Sequence, residues 1–146
     1  MDNDSITAIH EAAHAVASIR SGLLFDHVTA EPDDDLDIDG ALHWSSLMVS
    51  GAMEAPAELV AVVLIAGPCA EAKYRKLRVD RVFMGEAALD DRMAIAELGL
   101  SEDEFLAATR AAIDIVDVNW PLIERVGAAL LERGTLTFDE VATLVD

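Results

Sequence analysis

Ile9-His10-Glu11-Ala12-Ala13-His14 is the stretch of this chain that prescribes both a local structure and a chemistry. Residues four apart lie on one face of an α-helix, so the imidazoles of His10 and His14 can reach a single ion. Glu11 can then take a proton from a water in an open coordination position without binding the metal itself. The pattern is H-E-x-x-H, which is typical of zinc-dependent hydrolysis.

The residues around this motif favour a helix. Asn3, Asp4 or Ser5 can cap its start. Apolar residues recur at helical spacing between positions 6 and 17, and Gly22 can end the helix. The simpler alternative is an amphipathic helix whose two histidines are solvated or buried as ordinary core residues.

Length, charge and cysteine content limit the classes of protein to consider. The chain has 146 residues, of which 53% are hydrophobic, so we expect one folded domain spanning residues 1–146. A formal net charge of −18 disfavours nucleic acid and anionic membrane surfaces as partners. The single cysteine, Cys69, excludes an internal disulfide and is expected to be a small buried residue rather than a nucleophile.

The charge of the first residues and the length of the apolar run predict a cytoplasmic location. The chain begins Met1-Asp2-Asn3-Asp4, whose two aspartates make it acidic where a secretory signal would be basic. The uncharged apolar run at residues 59–70 is shorter than the roughly 20 residues that span a bilayer.

Periodicity and turn signals predict a mainly α fold with a small antiparallel β-sheet. Strands are expected at residues 25–30 and 40–46. Between them, Asp35-Leu36-Asp37-Ile38-Asp39-Gly40 copies the first half of a calcium-binding loop, but Ser46 stands where the loop needs a bidentate glutamate, so a solvated acidic loop is expected. A helical segment is expected over 53–78, which Gly67-Pro68 must bend or interrupt. Further helices are expected from 87 to 96, from 105 to 118 after a capping box at Ser101, from 121 to 133, and after a second capping box at Thr137.

A catalytic zinc site needs a third protein ligand from elsewhere in the chain. Ala17 and Arg20 stand where the metzincin extension would place Gly and His, so that pattern is excluded. Spacing alone does not choose among the remaining candidates, which are Glu71, Asp90, Asp91, His27 and His43.

Three segments in this order resemble the peptidase domain of FtsH-type proteases: residues 9–16, residues 66–71, and residues 85–94. The tail is also similar to that family at Trp120, residues 130–132 and residues 135–140, so the resemblance spans nearly the whole chain. It implies a zincin-like helical peptidase domain with zinc as cofactor. It further implies His10, His14 and Asp90 as zinc ligands and Glu11 as general base. Because the segment from Gly85 to Asp90 is one residue longer than in the family, Asp91 is the reserve ligand.

The chain departs from the family at several points. Ala13 replaces a glycine, which a helix tolerates, and Pro68-Cys69 replaces Arg-Ala. The phosphate-binding motif of the family's ATPase is absent, and Lys73 and Lys76 are the only lysines. The expected substrate is therefore a peptide or unfolded protein, either alone or delivered by a separate ATPase. The family's hexamers make a homo-oligomer conceivable, although the negative charge opposes it.

These observations predict a metallopeptidase that holds its substrate along an edge strand at residues 40–44. His43 is expected to be structural or to assist an oxyanion. Two alternatives stay open. One is a non-catalytic, zinc-stabilised adaptor or regulatory domain. The other is a different H-E-x-x-H metallopeptidase class in which Glu71 is the third ligand.

Overall fold

Helices form most of the computed structural model, which describes residues 2–31, 55–85 and 88–146. The elements in chain order are α1 (Asn3–Arg20), β1 (His27–Thr29), α2 (Ala57–Arg75), α3 (Val79–Phe83), α4 (Leu89–Glu97), α5 (Glu102–Val118), α6 (Trp120–Arg133), β2 (Thr135–Thr137) and α7 (Phe138–Val145). The two strands pair in antiparallel fashion. A mainly helical fold with a small antiparallel sheet is thereby confirmed. Within these ranges, every helix is too short or too polar to cross a lipid bilayer.

The helix that carries the motif, α1, lies at the centre of the fold. Its N-cap is Asp2, one residue before the predicted candidates, and the Asp2 side chain accepts a hydrogen bond from the Ser5 amide at 2.7 Å. Every residue from position 8 to 18 is buried, because α2 and α6 pack on different sides of the helix. Alanines fill much of that stretch and allow close approach. On α6, a Cβ at Gly127 would come within 3.1 Å of Ile9 Cδ1.

The second central helix, α2, is continuous through Pro68, so the interruption that was one of the two outcomes predicted at Gly67-Pro68 does not occur. Pro68 removes one intrahelical donor, a defect that costs on the order of 3 kcal/mol in an isolated helix. The stretch from position 60 to 72 is buried throughout, and α1 and α5 pack against it, which offsets that loss. The helix ends where Lys76 adopts the left-handed conformation at φ 58°.

The C-terminal helices follow their sequence signals closely. Ser101 and Thr137 both form the predicted capping boxes, with Glu104 and Glu140 completing them. Between these helices, α6 ends at Gly134, whose φ of +82° suits glycine.

The sheet is formed by the two ends of the chain. The strand predicted at residues 25–30 is confirmed over His27–Thr29, and its observed partner is β2, with Val28 opposite Leu136. The proposed partner at residues 40–46, the substrate edge at residues 40–44 and the acidic loop at residues 35–40 lie outside the described residues. The short helix α3 lies between the helices expected over 53–78 and 87–96, where the sequence predicted no regular element.

Candidate metal centre

The packing of α1 against α2 fixes the orientation of His14. Its Nδ1 atom donates a hydrogen bond to the Val63 carbonyl oxygen at 2.7 Å. A carbonyl can only accept, so Nδ1 carries the hydrogen and, in the neutral ring, Nε2 presents a lone pair. This Nε2 atom is fully buried and forms no hydrogen bond, although it lies 3.4 Å from Oδ2 of Asp91. A buried lone pair fixed in this way is what a metal-binding histidine offers.

His10 lies between two carboxylates. Its Nδ1 atom lies 3.1 Å from Oε1 of Glu71, and its Nε2 atom lies 2.8 Å from Oδ2 of Asp91. The second Glu71 oxygen accepts a hydrogen bond from Arg75 at 2.9 Å. Glu71 therefore contacts the ring nitrogen that faces away from Asp91 and His14. This is the position of a carboxylate that orients a metal-binding histidine rather than that of a ligand.

The carboxylate that reaches the two histidines belongs to Asp91. Asp91 is only 4% exposed, whereas Asp90 is exposed to solvent. Successive residues of a helix point about 100° apart, so only one of these neighbours can face α1. The structure thus brings together His10, His14 and Asp91, the reserve ligand, and places Asp90 outside the cluster.

The donor atoms of His10, His14 and Asp91 fit a single divalent ion. They all lie within 4.8 Å of one another. Ligand atoms around tetrahedral zinc are about 3.3 Å apart, which is close to the separation between His14 Nε2 and Asp91. Two imidazoles and one carboxylate also suit other transition metals, so the donor set by itself does not select zinc.

Gly67 lets the two imidazole rings pack closely against α2. A Cβ added at this position would lie 2.3 Å from Nε2 of His14 and 2.7 Å from Nε2 of His10. Both atoms are candidate donors, so any side chain at Gly67 would displace them. Glycine is unfavourable inside a helix by roughly 1 kcal/mol relative to alanine, which makes its presence here a matter of space rather than helix stability.

Electrostatics within the cluster favour charged groups despite burial. Burial lowers the pKa of His10, but its hydrogen bonds to Asp91 and Glu71 outweigh that effect and raise the pKa well above the ordinary value. Burial alone would raise the pKa of Asp91, but its interactions with His14 and His10 lower it overall. The two shifts together favour an ion pair between His10 and Asp91, which supply two of the three candidate donor atoms.

Glu11, the predicted general base, is on α1 next to His10 and is only 3% exposed. Its negative charge is one of the causes that raise the pKa of His10, which places the carboxylate within electrostatic reach of the cluster. It is not one of the three donors that the structure groups around a common point.

The remaining candidates do not join this cluster. His27 pairs with Asp26 at 2.9 Å near the surface, and His43 lies outside the described residues. Burial raises the pKa of the Cys69 thiol to about 12, so this cysteine is held as an unreactive thiol, as the sequence suggested.

Two contacts at this site carry no clear signal in the sequence. The roles of Glu71 as a partner of His10 and of Val63 as an acceptor for His14 both depend on how α2 packs on α1. No protein-family model matches the chain, and a search of curated proteins found no similar sequence.

Proposed function

We propose that this protein is a zinc-dependent metallopeptidase with a zincin-like fold, similar in its site to the FtsH-type peptidase domain. The observation that carries the proposal is the convergence of His10, His14 and Asp91 beside Glu11. A second support is the Nε2 atom of His14, a buried donor that forms no hydrogen bond of its own.

Each residue has a defined task under this proposal. His10, His14 and Asp91 would hold the ion, and Glu71 would fix the ring of His10 through Nδ1. When bound, a zinc ion would acidify a water molecule and polarise the substrate carbonyl. The Glu11 carboxylate would act as general base toward the attacking water and then as general acid toward the leaving amine.

Zinc is preferred over iron because of Glu11. Two histidines and a carboxylate are also the ligands of many iron(II) oxygenases. Such enzymes activate oxygen and do not need a carboxylate base at the second position of the motif. The H-E-x-x-H spacing supplies that base, which is a requirement of hydrolysis.

The proposed substrate is a peptide or an unfolded protein. The 146 residues contain no phosphate-binding motif, so substrates would arrive unfolded or from a separate ATPase. A cytoplasmic location is a further part of the proposal and is taken from the sequence.

One observation favours a second candidate function. His10 and Glu11 are only 6% and 3% exposed. Closed sites are typical of structural metals, which stabilise a fold without turning over a substrate. The second candidate is therefore a metal-stabilised adaptor or regulatory domain.

Hydrolysis by the purified protein tests the proposal. Metal content is determined on the isolated chain, and cleavage of labelled casein and of a peptide library is followed with and without a chelator. The proposal predicts bound zinc, cleavage that the chelator abolishes, and recovery when zinc is restored. Glu11→Gln should retain zinc and lose cleavage by several orders of magnitude, whereas Glu132→Gln, at an exposed position, should change neither. Bound zinc without cleavage in the unaltered chain would favour the adaptor, and absence of bound zinc would overturn both.

A further inference from the structure

Asp91, the third proposed ligand, lies on α4, a helix that makes few apolar contacts with the core. Only Asp91 and Ile95 of α4 are buried, and no side chain caps the helix start at Ala88. On the opposite face, Leu89 and Met93 are exposed. Ile95 and the partly buried Ala94 give a nine-residue helix a small apolar area with which to fix its position. A further contact near the start of α4 would help to hold Asp91 toward α1.

Arg92, the residue after Asp91, makes that contact. Its Nη1 atom donates to the carbonyl oxygen of Phe83 at 2.6 Å and to that of Gly85 at 2.7 Å. This nitrogen carries two hydrogens, one for each acceptor. Phe83 is the last residue of α3, so its carbonyl has no partner within that helix. The cationic guanidinium therefore joins the start of α4 to the end of α3 through charge-assisted hydrogen bonds.

The short helix α3 is itself held by the core. Val82 is buried, α3 packs against α2, and the ring of Phe83 lies 5.8 Å from that of Phe105 on α5. Arg92 thus connects α4 to a helix that is fixed relative to α2. The same α2 carries Gly67 and Val63, which fix the space and the orientation of the histidines.

We propose that Arg92 is a positioning residue for the metal centre: by bridging the carbonyls of Phe83 and Gly85 it holds α4 so that the Asp91 carboxylate meets Nε2 of His10 and His14. This inference rests on the proposed metal site. Arg92 does not contact the ion. It acts through Asp91, so its removal has an effect only while Asp91 is present.

A double-mutant cycle on zinc affinity tests this inference. Zinc dissociation constants are measured by competition with a chromophoric chelator for the unaltered chain, Arg92→Gln, Asp91→Asn and the double variant. Arg92→Gln should weaken zinc binding about tenfold to a hundredfold, the usual effect of losing a residue that supports a ligand. In the Asp91→Asn background, the same change should weaken binding by less than about twofold, because coupled residues are not additive.

Two controls separate positioning from a general loss of stability. Val141→Ala removes a buried side chain from α7 and should lower the melting temperature without changing zinc affinity. Arg110→Gln removes an exposed arginine from α5 and should change neither quantity. Arg92→Lys keeps the charge and should recover part of the affinity, and it replaces Arg92→Gln in the cycle if the latter does not fold. Absorption spectra of the cobalt-loaded proteins should shift for Arg92→Gln toward the spectrum of Asp91→Asn.

The outcomes distinguish this inference from the proposed function. If the unaltered chain binds no zinc, the metal site itself is wrong. If the unaltered chain binds zinc and Arg92→Gln binds it equally well, only the role of Arg92 is overturned. If Arg92→Gln weakened zinc binding equally with Asp91 present and with Asp91→Asn, action through Asp91 would likewise be contradicted.

Discussion

Nδ1 of His10 and Oε1 of Glu71 lie 3.1 Å apart although 61 positions separate the two residues in the chain. This pair fixes which nitrogen of His10 faces Asp91 and His14. It also assigns Glu71 a place behind the imidazole ring. The pair connects the two central helices, α1 and α2, at the level of the site.

Glu71→Gln should weaken metal binding without abolishing it. The amide oxygen can still accept from Nδ1, but without the negative charge the ring becomes a poorer donor, and a loss of about tenfold to a hundredfold in affinity is expected. Isothermal titration calorimetry with zinc measures this loss of affinity. Glu132→Gln, at an exposed position, should bind zinc as the unaltered chain does. Complete loss of binding in Glu71→Gln would instead make Glu71 a ligand, as in the alternative metallopeptidase class.

Gly67→Ala should abolish metal binding in a folded protein. The new Cβ would displace the donor nitrogens of His10 and His14. Overpacking costs about 1–3 kcal/mol, partly offset by the better helix propensity of alanine, so the fold should persist. The metal content of the purified variant measures the loss of binding, and circular dichroism shows whether the fold persists. Gly127→Ala is the matched control, because the tightest contact of its Cβ would be with the flexible end of Ile9 and its contact with the Ala8 carbonyl oxygen, at 3.7 Å, is an ordinary one. Retention of a full complement of zinc by Gly67→Ala would contradict the assigned geometry.

Stability should depend on pH differently with and without the ion. The pKa of His10 is raised in the folded state, so its contribution is complete below about pH 6.5 and is lost as the pH rises through the folded value. The pKa values of Asp91 and Glu71 are lowered, because pairing with the histidines and, for Glu71, Arg75 outweighs burial. Their contributions are therefore complete above about pH 4 and are lost as the pH falls through the folded values.

The chelator-treated protein should therefore melt at lower temperature at pH 9 than at pH 6. Zinc competes with the proton on His10, so the affinity for zinc should increase from pH 6 to pH 9. Bound zinc should therefore remove the fall in melting temperature over that pH range. Differential scanning calorimetry from pH 5 to pH 9, with chelator and with zinc, measures both trends. A zinc-induced increase in melting temperature that shrinks as the pH rises would contradict the assignment of His10.

Local patterns were sufficient to predict the elements whose signals are local. The histidines of α1 are four residues apart, so helical periodicity alone places both on one face. The capping boxes at Ser101 and Thr137 form for the same reason, since each involves residues only three positions apart. Pro68 left an interruption open in the prediction because its cost is local, whereas the packing that keeps α2 continuous comes from α1 and α5.

The third ligand could not be chosen from sequence. Asp90 and Asp91 are chemically identical, and the choice between them depends on how α4 is rotated about its axis. Its sequence gives little indication of that rotation, because the helix buries only one apolar side chain. The rotation is visible only in the contact of Asp91 with the histidines and in the hydrogen bonds of Arg92 to α3.

Bound zinc in Asp91→Ala, compared with Asp90→Ala, tests the central claim most directly. Both proteins are dialysed against the same zinc-buffered solution, and metal per chain is determined by mass spectrometry. The two variants lose the same side chain from adjacent positions, so the comparison isolates the site. We expect Asp90→Ala to retain zinc like the unaltered chain and Asp91→Ala to lose it. The account would be contradicted if Asp91→Ala retained zinc, or if Asp90→Ala lost zinc and Asp91→Ala did not.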